Sequence, residues 1–299
     1  MGISLSISTN PLINRITDIE ELIRVCAQDI KINQIQLTNE FINPTWTPKI
    51  IHRLVQQFNK ASSKYGVRAS SLMTGAQARL SAMGHSDAEI RTWHEKWFID
   101  FGRIAVDLGA LSIGSQFGIL SYSDYDNPKI LERRIEDILD GWCRIWDSVE
   151  PLGLKFLFWE QMSIGREFGH TIESSKFLID KIKKRGIPLK MLYDVDHGDI
   201  SSVDPSDTNP ESWLRLLGNE CPIIHVKQSS SNKGGHWPFV EPYNSSGRIH
   251  PEKIINLLKL YGQQDVEVCL ELSFREREPN DRQAIDLIQK SVAYWRLSL

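Results

Sequence analysis

Four residues of this 299-residue chain combine types and spacing that can do chemistry: Glu160, Asp194, His225 and Glu271. Each ends a short apolar run: residues 154–159 (LKFLFW), 187–193 (IPLKMLY), 222–224 (PII) and 266–270 (VEVCL). Three carboxylates and one imidazole, each closing its own strand-like run, suit a divalent metal held at the mouth of a parallel β-barrel. The separations are 34, 31 and 46 residues. The first two approximate one βα unit of a barrel of about 250 residues, and the third is one unit plus a long loop. Residues so spaced recur at one height on different strands, so all four would converge on the C-terminal mouth, where barrel enzymes place their chemistry. Oxygen donors with one imidazole favour Mn²⁺, with Mg²⁺ or Co²⁺ as alternatives, over a thiolate zinc site. Without a cation the carboxylates would repel, raising at least one pKa.

Taken singly, each residue has a plainer reading, since a strand-end Glu can cap a helix and a lone His is usually packed. Asp194 and Asp196 lie on the same side of an extended strand, so either could be the ligand. Alternation leaves the choice between Asp194 and Asp196 open, the other carboxylate then serving as a supporting partner.

The elements that must position these residues alternate. Strand-like runs cover 3–8, 33–38, 67–73, 110–116, 154–160, 189–194, 222–227 and 266–272. Helical patterns fill 18–28, 47–64, 86–108, 128–149, 173–184, 209–218, 251–261 and 280–295. The clearest is 128–149, where Ile130, Ile135, Ile138, Leu139, Trp142 and Trp146 share one face. Eight βα repeats predict an α/β (β/α)₈ TIM barrel, a single domain over residues 1–299. No dinucleotide or Walker phosphate-loop motif is present, which weakens an open nucleotide-binding sheet. Segments 74–92 and 228–250 are long, polar and on the active-site side, as functional loops often are. Trp93, His94, Trp97, Phe98 and Phe101 have helical spacing and read as a core or subunit-contact stripe.

A net charge of −3 argues against nucleic acid held by a basic surface. The four cysteines, Cys26, Cys143, Cys221 and Cys269, form no C-x-x-C pair and read as buried free thiols. No signal peptide or membrane span is evident, so a cytoplasmic protein without a membrane partner is expected.

Longer stretches carry a resemblance. Trp159–Glu160, Asp194-Val-Asp-His197, His225-Val-Lys227 and Leu270-Glu-Leu272 resemble the xylose isomerase-like barrels, and among them the ketose 3-epimerases of the tagatose/psicose type. The runs 159–170 (WEQMSIGREFGH), 194–199 (DVDHGD), 225–237 (HVKQSSSNKGGHW) and 271–278 (ELSFRERE) are similar to tetrulose-phosphate epimerases of erythritol catabolism, which act on erythrulose 1-phosphate. The resemblance implies metal ligation by Glu160, Asp194, His225 and Glu271, with Glu160 and Glu271 also as the acid/base pair. His197 would hydrogen-bond a substrate oxygen. The partner would be a small sugar or sugar phosphate. A phosphate needs cations, and Arg166, Lys227, Lys233, Arg275 and Arg277 are candidates. Gln228 joins the substrate-binding set, and Gly234–Gly235 could offer backbone N–H groups to an anion. Arg275 and Arg277 also read as a salt-bridge run with Glu276 and Glu278. Trp159, Trp237 and Phe239 could wall the site or simply pack, while His170 and His250 read as structural. Oligomeric state stays open, with a homo-oligomer allowed by the resemblance.

The rivals are an epimerase or aldose–ketose isomerase of a free sugar, an endonuclease IV-like hydrolase and a non-catalytic sugar-binding barrel. The hydrolase would need more histidines than His197 and His225 at strand ends.

Overall fold

The computed structural model describes residues 2–75, 80–230, 233–274 and 280–299, with only the backbone of Lys233. Eight parallel strands close a barrel: β1 (Gly2–Ser8), β2 (Gln34–Thr38), β3 (Arg68–Met73), β4 (Ser112–Gln116), β5 (Phe156–Glu160), β6 (Leu189–Asp194), β7 (Ile223–Val226) and β10 (Asp265–Leu270). Between β7 and β10 an antiparallel hairpin, β8 (Gln228–Ser230) and β9 (Lys233–Trp237), occupies what the sequence reads as a polar loop. Its lack of apolar alternation is what hides it from a sequence reading.

The helices ring the barrel: α1 (Ile19–Arg24), α2 (Pro48–Tyr65), α3 (Ala88–Asp107), the short α4 (Tyr122–Tyr125), α5 (Pro128–Val149), α6 (Ile172–Arg185), α7 (Pro210–Leu217), the short α8 (Tyr243–Ser246), α9 (Pro251–Tyr261) and α10 (Ala284–Arg296). Local chemistry sets their ends. Asn127 accepts from the Lys129 and Ile130 N–H groups and Pro128 opens α5, whose buried face runs through Ile135, Ile138, Trp142, Ile145 and Val149. Thr171 and Ser174 form a capping box on α6, which ends at Gly186 in the left-handed region (φ 71°). The first helix departs from expectation, continuing as a π-helix over Val25–Ile30.

The aromatic stripe of α3 is core at His94, Trp97, Phe98 and Phe101, with Phe98 against Trp142 at 5.0 Å, whereas Trp93 is exposed. Cys26, Cys221 and Cys269 are buried free thiols, but Cys143 is only half-buried. Among the described residues no helix is long and apolar enough to cross a membrane.

Inside the barrel Met73, Phe158, Leu192, Ile223 and Cys269 form one apolar layer. Gly114 faces this layer because a Cβ there would lie 2.1 Å from the Phe158 ring. That plug separates two polar ends, and the strand register sets the upper one. Asp194 pairs with His225 across β6 and β7, and Glu160 closes the neighbouring β5.

Candidate active site

Glu160, Asp194, His225 and Glu271 each present one donor atom, all within 4.8 Å of one another, and all four are buried. Inward alternation along each strand brings them there from above Phe158, Leu192, Ile223 and Cys269. His225 Nδ1 lies 3.0 Å from Glu160 Oε1 and 3.6 Å from Glu271 Oε2. Its Nε2 meets Gln36 Oε1 at 2.9 Å, and the Gln36 amide in turn donates to Ser71 Oγ at 3.2 Å. Gln36 thus offers an oxygen to Nε2–H, leaving Nδ1 to face the carboxylates. The inward alternation of Gln34, Gln36 and Thr38 was the signal for Gln36, which motif spacing alone overlooks.

Lys227 is central to the electrostatics. Wholly buried, its ammonium sits 2.5 Å from Asp194 Oδ2, 2.9 Å from Glu271 Oε2 and 2.8 Å from His236 Nε2. Burial alone would lower its pKa, but Asp194 and Glu271 raise it above the ordinary lysine value. Burial would likewise raise Asp194 and Glu271. His197 and Lys227 hold Asp194 below the usual range, and Lys227 and His225 hold Glu271 well below it. For His225, the Glu271 charge and the bonds to Cys269 and Glu160 outweigh burial and raise the imidazole well above its ordinary value.

The donor set fits a divalent cation. Three carboxylates and one ammonium leave a charge of −2 when His225 is neutral, which one divalent ion balances. Asp194 Oδ2 is buried and accepts no well-aligned hydrogen bond, its close contact being the Lys227 ammonium. The elevated His225 pKa has the same origin, a proton taking up charge that the carboxylates would otherwise offer to a metal.

Asp196 stands apart from this cluster. Its Oδ2 accepts from the Gly235 N–H at 2.9 Å and its Oδ1 from Arg248 at 3.0 Å. Arg248 also donates to the carbonyl of Thr208 and to Ser229 Oγ, so Asp196 and Arg248 tie the hairpin to the end of β6. The Gly235 N–H is therefore taken up by a carboxylate of the protein itself. Asp194 meanwhile accepts the Asp196 N–H through Oδ1, turning Oδ2 inward.

His197 Nδ1 meets the Gln161 carbonyl at 2.8 Å, so Nε2 faces Lys227 (3.4 Å) and Asp194 at the mouth. His236, which sequence spacing does not single out, reaches to 3.4 Å from Glu271 and is 41% exposed, the cluster's most open member. Gln228 is not brought to the mouth: it is buried and bonded to Asn244 and to both the N–H and the carbonyl of Ile249. Arg166 bonds the Leu120 carbonyl, pairs with Glu167 and lies over the Tyr122 ring, with no contact to the four. The Lys233 side chain and Arg275 and Arg277 lie outside the described residues. Trp159 packs on Phe117, Phe239 on Trp295, and Trp237 stacks on Tyr243. Over the ends of β2–β4, a cavity of about 340 Å³ is lined by Asn39, Glu40, Thr74, Trp93 and Ser115.

Fold and site together define a (β/α)₈ barrel with a buried carboxylate–histidine cluster fit for a divalent metal. The chain belongs to the xylose isomerase-like TIM barrel family, whose model matches residues 27–296. It is 44% identical over 297 residues to D-erythrulose 1-phosphate 3-epimerase of Brucella abortus, covering 99% of this chain and 96% of that protein. It superposes on a putative xylose isomerase from Rhodospirillum rubrum with a TM-score of 0.89 at 19% identity, over 100% of both chains. D-psicose 3-epimerase from Clostridium cellulolyticum, solved with D-tagatose, matches at a TM-score of 0.73 and 13% identity over 99% of both chains. The structural likenesses establish the fold, and the 44% identical relative places the chain among the isomerases.

Proposed function

We propose that the chain is a divalent-metal-dependent 3-epimerase of a short ketose phosphate of the erythrulose 1-phosphate type. The observation that carries this reading is the 44% identity, along almost the whole chain, to a D-erythrulose 1-phosphate 3-epimerase. The site supplies chemistry to match. β5 and β10 are separated in the barrel by β6 and β7, so Glu160 and Glu271 reach the centre from different sides. A substrate between them would present one face of C3 to each carboxylate. One carboxylate takes the C3 proton, and the C–H electron pair delocalises into the C2 carbonyl to give an enediolate. The other, which must enter the cycle as the protonated acid, gives its proton to the opposite face, the carbonyl re-forms and C3 is inverted, the two carboxyls having exchanged protonation states. A divalent ion held by Glu160, Asp194, His225 and Glu271, Mn²⁺ foremost and Mg²⁺ or Co²⁺ as substitutes, would polarise the ketone oxygen and so acidify the C3 proton.

His197 Nε2 and the Lys227 ammonium face the same space and orient the substrate's oxygens, the ammonium also favouring the negative charge that grows there. In this reading the enzyme works in the cytoplasm on a diffusing small molecule, with neither nucleic acid nor membrane as partner. One observation favours a second reading, epimerisation of an unphosphorylated ketose: Lys227 is held by two carboxylates and Arg166 by Glu167 and Tyr122.

Turnover of erythrulose 1-phosphate and of free ketohexoses, each with and without Mn²⁺ and in deuterated water, separates the readings. The proposal expects metal-dependent epimerisation of the phosphate with deuterium entering at C3. Activity confined to free sugars moves the assignment to the second reading, and no C3 exchange with any ketose overturns both.

A further inference from the structure

The opposite end of the barrel holds a cavity of about 640 Å³, a volume suited to a small organic ligand. It opens where the strands begin, below the apolar layer of Phe158, Leu192 and Ile223, and so is closed off from the catalytic mouth. Its lining gathers cations from three strands: Arg68 opens β3, Lys155 precedes β5 and Lys190 is the second residue of β6. Among the described residues none of the three pairs with a carboxylate. Arg68 is fixed by Gln34 Oε1, which accepts from its Nε and from a terminal nitrogen at 3.3 and 2.7 Å, leaving the full positive charge unneutralised.

Two further groups line the same space. Ser112 Oγ is fully buried and has no hydrogen-bond partner, a hydroxyl donor without an acceptor. Glu267 turns its carboxyl to Ser6 and Ser70, whose hydroxyls donate to it at 2.5 and 2.7 Å. Burial pushes that carboxyl up, towards its neutral form, so it subtracts less from the positive charge than a free carboxylate would. Asp265 is the other acidic group of the lining. The balance is an excess of cationic donors, one of them a planar guanidinium, around a cavity open to solvent where Arg68 and Lys155 are exposed, with an unused hydroxyl.

We infer that this end of the barrel is a second binding site, for a small molecule carrying a phosphate group, held by Arg68, Lys155 and Lys190 with Ser112 donating from the floor. The site is distinct from the catalytic cluster and stands whether or not the reaction assigned to that cluster is correct.

Isothermal titration with inorganic phosphate is the direct test. The wild-type protein should take phosphate up saturably. In Lys155→Gln/Lys190→Gln the uptake should weaken by about tenfold per lysine removed, while turnover at the mouth is unchanged. Lys190 reaches into the barrel, so a measurement on the wild type stands beside the variant: phosphate should protect Lys155 and Lys190 from an amine-acylating reagent, mapped by peptide mass. The absence of saturable uptake, an isotherm unchanged in the double variant, or equal labelling with and without phosphate overturns the proposal.

Discussion

Glu267, within β10, and Glu271, the residue that follows its last, lie four residues apart and both turn to the barrel axis, and their environments push them in opposite directions. At the mouth Glu271 meets Lys227, His225 and His236, and its carboxyl is held well below the usual range. At the other end Glu267 meets two hydroxyls and an amide, and burial pushes its carboxyl up. What differs is the company. Burial penalises both charges, and only at the mouth do buried cations outweigh that penalty. The mouth therefore keeps ionised carboxylates away from bulk water, as metal ligation and proton transfer both require, whereas the other end keeps cations without carboxylate partners.

The largest effect expected from breaking this contrast is on turnover. Glu160→Gln and Glu271→Gln each remove a carboxylate that takes or gives a proton, and kcat for C3 epimerisation should fall by about 10²–10⁴-fold. Exchange of the C3 proton with deuterated water, followed by NMR, separates the two. If one residue serves each face, each variant should still exchange one substrate epimer faster than the other. Wild-type exchange in either variant would remove that residue from the proton-transfer role.

Next in size is the balance around Lys227. Lys227→Met leaves three buried carboxylates facing only the imidazoles of His197, His225 and His236. In chelator the variant should lose about 3–5 kcal/mol of stability, the usual effect of breaking a buried pair, and added Mn²⁺ should restore much of it. Denaturant unfolding with and without the ion measures both. The pH dependence of the metal-free wild type follows from the same groups. Asp194 and Glu271 have depressed folded-state values, so their contribution is present above the unfolded carboxylate range and is lost as pH falls through the folded values. His225 is raised, so its contribution is complete below the unfolded histidine value of about 6.5 and is lost as pH rises through the folded one. Metal-free stability should decline on both sides, and an alkaline side that stays flat would argue against an imidazolium at His225.

The sequence makes the mouth far more legible than the rest. All eight barrel strands overlap the strand-like runs of six or seven residues that mark them, and Glu160, Asp194 and His225 lie at or next to the last residue of theirs, where a polar side chain after a buried run turns to the mouth. The choice between Asp194 and Asp196 could not be made from alternation, which puts both on one side. It is the Arg248 and Gly235 contacts of Asp196 that separate them, and these come from residues about 40–50 positions away. Lys227 was visible as a cation near the motif. That its charge is spent among carboxylates depends on three strands meeting, which spacing cannot convey. The hairpin that delivers His236 was hidden by its polar, glycine-rich composition, and the cationic end of the barrel by the scatter of Arg68, Lys155 and Lys190 over more than a hundred residues.

A smaller effect tests the support beneath the mouth. Gln36→Met removes the oxygen that receives His225 Nε2–H while keeping comparable bulk. Losing such a support should weaken metal binding by about 10–100-fold, read as the Mn²⁺ dissociation constant by titration. Gln36→Glu keeps an acceptor and should retain most of the affinity. Equal loss in both variants would mean that Gln36 fills space rather than orienting the ring.

The smallest effect lies at the other carboxyl and has the opposite sign from any substitution at the mouth. Because the folded-state value of Glu267 is raised, the folded protein holds its proton more tightly than the unfolded chain. Its ionisation therefore withdraws stability as pH rises from the unfolded carboxylate range through the folded value, and the deficit stays constant above that. Glu267→Gln keeps an oxygen to accept from Ser6 and Ser70 but can never ionise. At neutral pH the variant should melt higher than the wild type, by about 2–4 °C, the shift that ~1 kcal/mol produces in a large domain. The two melting curves should converge as pH falls below the ordinary carboxylate range, where both side chains are neutral. A variant that melts lower than the wild type at neutral pH would show that Glu267 is ionised and paired, and the contrast between Glu267 and Glu271 would fail.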